Sequence, residues 1–349
     1  TNNLIIDSNG NNFQGSPDAY TVDYSTAGQS LSIVYSDATK GWIPVSDDAV
    51  TDAPSPPPTQ RALFGYGEIG GAVSMTNLVN SSGVVAADVT GVGTARYYLA
   101  ATGYGGDKAI FGYGSTGSNS SLTNLVNNSG VVAADTTGVG TARWGLGAAN
   151  YGNDKAIFGY GTTGSVSSIT NKVSNSGVVA SDTTGVGTAR RNIAAASYGG
   201  DKAIFGYGLN SSTTRVSMTN LVNNSGVVAT DTTGVGSARY GLAAASYGGD
   251  KAIFGYGITT GDADSWVNMT NLVSNTGVVA ADVTGVGTRR YYLAAAGYGG
   301  DKAIFAYGRS GSEVSLKNLV SNSGVVAADV TGVGTARDIL AAAGYSFSA

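Results

Sequence analysis

The sequence predicts an all-β fold: a six-bladed β-propeller of four-stranded blades, preceded by a small β module. Three observations carry this expectation. The phrase DKAIFGYG recurs with small changes at Arg61–Gly67, Lys108–Gly114, Lys155–Gly161, Lys202–Gly208, Lys251–Gly257 and Lys302–Gly308. Its starts lie 47, 47, 47, 49 and 51 residues apart, a period that belongs to propeller blades or solenoid turns. Short apolar runs bounded by Gly, Asn and Ser fill each period, and no long amphipathic stretch at helical spacing interrupts them.

Residues 1–51 read as the small β module. Asn3–Asp7, Tyr20–Tyr24, Ser30–Tyr35 and Trp42–Val45 have the composition of strands, and Asn9-Gly10 predicts a tight hairpin within Asp7–Asn12. One Trp, three Tyr and one Phe make a thin core for a free-standing unit, so association with other copies or with a partner is expected. The constellation Asn3, Leu4, Asn9, Gly10, Gly28, Gln29, Ser30, Tyr35, Gly41 and Trp42 resembles a short β module of bacteriophage tail-fibre and other appendage proteins. That resemblance covers about one seventh of the chain. It implies attachment to other virion proteins through residues 1–51, a homotrimer as the favoured assembly, and a place on the exterior or tail of the particle. Residues 52–60 (DAPSPPPTQ) follow, where consecutive prolines predict a stiff polyproline spacer. Thr1–Leu4 has neither the charged start nor the apolar stretch of a signal peptide, and the missing initiating Met predicts a fragment or a processed chain.

Residues 61–349 are the propeller. In the fifth copy, Lys251–Gly257 is a strand, Ile258–Asp264 a turn and Trp266–Ser274 an alternating strand. Val278–Asp282 is a further strand and Tyr291–Ala296 a strand of small residues. The Ala runs 194–196, 243–245, 294–296 and 341–343 suit an innermost strand, because bulky side chains would collide where blades converge. The repeats start on a second strand and end on an innermost one. The C-terminal strand Asp338–Ala343 is therefore expected to complete the Arg61 blade and leave no open edge. The order of elements resembles the kelch repeat, in which an Arg precedes the innermost strand and a Gly doublet ends the second. Here GYG stands for the doublet, and Gly-Val-Val occupies the neighbourhood of the fourth-strand Trp. The resemblance spans Arg61–Ala349.

Asp88, Asp135, Asp182, Asp231, Asp282 and Asp329 each lie eight residues before Arg96, Arg143, Arg190, Arg239, Arg290 and Arg337. A fixed separation across a Gly-containing turn predicts one structural ion pair or cap per blade. The repeated Asn77, Asn124, Asn171, Asn220, Asn271 and Asn318 are expected to bond turn or neighbouring backbone.

Function is expected where the symmetry breaks, in the loops between second and third strands. These are chemically richest at Arg215, Asp262, Asp264, Trp266, Arg309 and Glu313, a set suited to a host-surface glycan or protein through ring contacts and carboxylate acceptors. A second series follows the repeated Arg at Tyr97, Trp144, Tyr240 and Tyr291, and breaks at Arg191 and Asp338. With no His and no Cys, the commonest catalytic triads and metal sites are unavailable. No catalytic residue, cofactor or metal is expected. A net charge of −4 without a basic tract argues against nucleic acid, and no apolar run is long enough to span a membrane. The expectation is a non-enzymatic virion component. A free kelch-like or lectin-like binding module is the alternative, and a propeller glycosidase a lesser one.

Overall fold

The computed structural model describes residues 4–15, 22–24, 32–46, 59–260 and 265–347. The chain divides into two units, Thr1–Pro58 and Thr59–Ala349. The second begins inside the proposed spacer, and residues 52–58 lie outside the described residues. No helix of the described residues is long and apolar enough to cross a membrane.

In the first unit β1 (Leu4–Ile6) pairs with β2 (Val22–Tyr24), and β3 (Ser32–Tyr35) with β4 (Trp42–Ser46), both antiparallel. The hairpin expected within Asp7–Asn12 does not form. Asn9 and Gly10 do turn, with φ of 51° and 82°. The chain then runs on to bridge Phe13 with Trp42 instead of folding back on β1. Gly41 makes this crossing possible, since a Cβ there would lie 1.6 Å from the Asn12 carbonyl oxygen. Phe13 is buried, whereas Val34 and Val45 are 50% and 66% exposed.

The second unit consists of repeated antiparallel sheets. β5 (Thr59–Glu68) lies between β6 (Ala72–Val79) and the last strand of the unit, Ala341–Phe347. Ala341 stands opposite Gly65, so the C-terminus completes the sheet that Arg61 opens. Five further sheets follow in chain order. They are β7 (Ala100–Tyr104), β8 (Lys108–Gly112) and β9 (Thr123–Val126), then β10 (Gly147–Tyr151), β11 (Lys155–Gly159) and β12 (Thr170–Val173). Next come β13 (Ala194–Tyr198), β14 (Lys202–Gly206) and β15 (Thr219–Val222), then β16 (Ala243–Tyr247), β17 (Lys251–Ile258) and β18 (Trp266–Val273). The last is β19 (Ala294–Tyr298), β20 (Lys302–Ala306) and β23 (Lys317–Val320), with a two-stranded hairpin, β21 (Arg309–Ser310) and β22 (Ser312–Glu313), inserted before β23; the C-terminal strand is β24.

Each sheet has three regular strands rather than four. The expected fourth, VVAAD, makes only two single bridges, such as Val79–Val85 and Thr76–Val89. The two bridges enclose one more residue on the outer segment than on its partner, and that bulge breaks the ladder. The Asn77 side chain fills the gap, donating to the Ala86 carbonyl and to Asp88 Oδ1 at 3.0 and 2.9 Å. The small-residue strand also starts later than expected, at Ala294 rather than Tyr291. Tyr292 lies in the left-handed region with φ 51°, so the chain cannot yet be extended.

The middle strands are buried on both faces, which is why KAIF is uninterrupted by polar residues. In β8, Ala109 and Phe111 pack toward the preceding sheet, and Ile110 toward the following one. Strict alternation would then turn Tyr113 backward. Instead its φ of 64° rotates it forward onto Phe158, 5.1 Å between ring centroids. Gly112 leaves the room for this, since a Cβ there would meet the Phe158 ring at 2.7 Å. This is the physical content of GYG: a bulge that places a ring and a gap side by side. The sixth seam repeats the arrangement, with Ala62 and Phe64 in one cluster with Ile304 and Tyr307. The sixth sheet thus packs on the first. The first strands of the sheets surround a cavity of about 210 Å³ walled mainly by Ala, Ser and Gly.

Candidate binding surface

The repeated polar residues lie in the seams between sheets. The Asp and Arg of one repeat do not pair with each other, as their spacing implied; each Asp reaches the Arg of the preceding repeat. Arg96 pairs with Asp135 at 3.4 Å, Arg190 with Asp231 at 3.5 Å, Arg239 with Asp282 at 3.8 Å, and Arg337 with Asp88 at 3.9 Å. Arg143 and Arg290 feel the charge of Asp182 and Asp329 without pairing as closely. The turn that separates them in sequence carries each pair apart, and adjacency of sheets supplies the partner.

All six guanidinium groups are fully buried. Each stacks on the Tyr of GYG, as Arg337 does on Tyr307 at 4.3 Å and Arg143 on Tyr113 at 4.4 Å. Arg337 donates to the Tyr66 carbonyl, the Thr335 carbonyl and Asn77 Oδ1 at 2.9, 3.2 and 2.7 Å. Burial lowers the Arg337 pKa, while Tyr307 and Asp88 oppose the shift. Burial likewise pushes the Tyr307 hydroxyl up to about 12. For Asp88 burial raises the pKa, but bonds from Thr335 and Asn77 and the charge of Arg337 outweigh it, and the net direction is down. The six sets cap the preceding loops, as when Asp88 accepts from the Thr335 amide and hydroxyl at 3.0 and 2.5 Å. These residues are engaged in the fold, although Nε of Arg96 and of Arg290 is buried without a partner.

The residue after each Arg bridges the variable loop. Tyr97 pairs with Ser115, Trp144 with Thr162, Arg191 with Leu209, Tyr240 with Ile258, Tyr291 with Arg309, and Asp338 with Glu68. This brings the two candidate series onto one surface. Arg215 lies across Leu209 from Arg191 and its guanidinium sits over the Tyr240 ring at 5.6 Å. Trp266 packs on Tyr291 at 5.1 Å. Arg309 and Glu313 face each other across the β21–β22 hairpin and pair at 3.3 Å. Asp262 and Asp264 lie outside the described residues.

One position further on, no residue type repeats through the six copies, yet the backbone there is closely organised. Six backbone amides and carbonyls form a closed circuit. Tyr98 donates to Ile339, Ile339 to Tyr292, Tyr292 to Gly241, Gly241 to Asn192, Asn192 to Gly145, and Gly145 to Tyr98, at 2.7 to 3.2 Å. All six residues have positive φ. Tyr98 and Tyr292 meet edge to face across this circuit at 5.3 Å, and the Asn192 amide donates to the Tyr292 hydroxyl at 3.3 Å. Burial raises the Tyr292 pKa strongly. The rings continue outward, Tyr98 to Trp144 at 4.7 Å and Tyr292 to Tyr291 at 5.1 Å. The signal available in the sequence was the doublet Tyr-Tyr at 97–98 and 291–292.

Asp338 stands where the series has an aromatic elsewhere. It is 1% exposed, and its Oδ1 has no hydrogen-bond partner. Arg309 pairs with it at 3.4 Å. Burial raises its pKa to about 6, with Arg309 opposing and Glu313 and Glu68 adding to the rise. Among the described residues no group of three His, Cys, Asp or Glu side chains is placed to hold a metal ion.

No protein-family model matches the chain, and comparison with curated proteins finds no match.

Proposed function

We propose that this chain is a non-enzymatic structural component of a bacteriophage virion, a tail fibre, tail-associated or other appendage protein that contributes to host-surface attachment. In this reading residues 59–349 are a closed six-bladed propeller with kelch-like blades, and residues 1–51 attach it to other virion proteins. The observation that carries the role is a division of labour. All six copies of the buried Arg, Asn and Tyr, with the Asp that caps each, serve the seams, while one surface gathers Arg215, Trp266, Arg309, Glu313 and the aromatic series. Closure is supported by the six-membered backbone circuit and by the seam at Arg337, which has the contacts of its counterparts. Attachment through the first unit is supported by the exposed Val34, Tyr35 and Val45 and by the resemblance to phage appendage modules. The glycosidase alternative has less support. Among the described residues the one carboxylate held up to about 6, Asp338, is 1% exposed and so presents no acid to a sugar.

The test removes residues 1–58. The remaining protein is expected to stay folded and monomeric by mass measurement, and to be lost from purified particles. Normal incorporation would transfer attachment to the repeat unit. Absence of the full chain from particles would favour the free lectin-like module.

A further inference from the structure

We infer that the surface around Arg191 and Arg215 binds an acidic saccharide, a sugar carrying a carboxylate. This rests on the attachment reading and adds its ligand class. The surface is divided into an arc of donors and an arc of acceptors. On the donor arc Arg191 lies over Trp144 at 5.3 Å and Arg215 over Tyr240 at 5.6 Å. Stacking occupies the flat face of a guanidinium and leaves its terminal N–H groups able to bond in the fork that matches a carboxylate. Among the described residues neither side chain makes a hydrogen bond or an ion pair, and Arg215 Nε is buried without a partner. The contrast is internal to the molecule and lies in the terminal nitrogens: Nε is unpartnered in Arg96 and Arg290 too, but all six seam arginines donate to Asn, Asp or backbone, as Arg239 does to Asn271 at 2.6 Å.

Arg191 and Arg215 flank Leu209 on successive bridges, which puts their backbones about 10 Å apart, two strand spacings. Their guanidinium groups lie over different rings, Trp144 and Tyr240, so each can meet an acidic group on a different sugar unit. The opposite arc holds Glu68, Glu313 and Asp338 around one cation, Arg309. Glu68 and Glu313, which are partly exposed, accept from hydroxyls and repel a second anion, while the buried Asp338 adds negative charge from beneath. A ligand that satisfies both arcs therefore combines a negative group with many hydroxyls. An acidic peptide lacks the hydroxyls, and a nucleic acid would need far more than two unpaired cations.

The test uses the full chain in titration calorimetry with three acidic probes, trigalacturonate, 3′-sialyllactose and a hyaluronan hexasaccharide. Maltotriose, lactose and poly-glutamate serve as comparisons. Binding of at least one acidic sugar is expected, weakened by salt and at least ten-fold tighter than any comparison. The double variant Arg191→Gln, Arg215→Gln is expected to lose about ten-fold or more, because each arginine contributes charge-assisted hydrogen bonds. Its melting temperature is expected to be unchanged. Equal binding of a neutral sugar or of poly-glutamate overturns the inference, as does no binding of any acidic probe at millimolar concentration. Cell adhesion by the intact protein that the double variant retains in full also overturns it, while leaving the attachment reading in place.

Discussion

Replacing Arg337 by Met tests ring closure quantitatively. Arg337 lies 271 residues from Tyr66, yet donates to its carbonyl, and lies 260 residues from Asn77, whose Oδ1 it also meets. Methionine keeps most of the volume and removes the donors. Two buried acceptors, Tyr66 O and Asn77 Oδ1, then lose their partner, at about 1–3 kcal/mol each. The stack on Tyr307 adds about 1 kcal/mol. The ion pair with Asp88 adds little, because it spans 3.9 Å and the carboxylate side chain is 31% exposed. The sum is about 3–7 kcal/mol, whose lower half is the usual range for breaking one side of a buried polar set, about 3–5 kcal/mol. Arg190→Met is the internal control, since Arg190 donates to Tyr207 O and Asn220 Oδ1 at 3.0 and 2.7 Å in a seam between consecutive sheets. In a closed ring the two variants cost the same within about 1 kcal/mol. In an open array Arg337 would face solvent and cost almost nothing. Urea titration of both variants is the assay, with roughly 2 °C of melting-temperature loss per kcal/mol at this size as a check. A normal Arg337→Met beside a destabilised Arg190→Met would refute the closure argument.

Deleting residues 337–349 is expected to be more severe, because it strips β24 from its pairing with β5 and removes Leu340, Ala341, Ala343 and Tyr345 from two core clusters. Circular dichroism melting at the full-length temperature would contradict it. Asp338→Asn addresses pH dependence. The folded pKa of Asp338 is raised from 3.8 to about 6, so the folded state holds the proton more tightly than the unfolded one. Stability from this group is present below about 4 and is lost as pH rises through 6, roughly 3 kcal/mol in all. The substituted amide cannot ionise. The variant is expected to flatten the fall between pH 4 and 6 and to melt higher at pH 7.5. An unchanged slope would show that the carboxylate is solvated. The lowered Asp88, Asp135, Asp182, Asp231, Asp282 and Asp329 act in the opposite sense and in another window, with stability lost below about 4.

The repeat was legible in the chain because it is local. A 47-residue period, KAIF runs and Ala strands follow from alternation and steric crowding, which a single copy already expresses. The pairing of the last strand with the Arg61 strand was legible for a related reason: a count of second and innermost strands left one of each unpaired. The position of the variable loops as the place of asymmetry was legible as well, since six nearly identical copies leave few other differences. Three things belonged to the tertiary structure. The partner of each Asp is the Arg of the preceding repeat, a contact between sheets that no spacing within a repeat encodes. The fourth strand is broken by a bulge whose gap is filled by an Asn side chain, which composition cannot distinguish from a ladder. The circuit through Tyr98, Gly145, Asn192, Gly241, Tyr292 and Ile339 joins residues of four types through backbone alone. It exists because six turns meet at positive φ, and side-chain pattern carries no record of a bond made by the main chain.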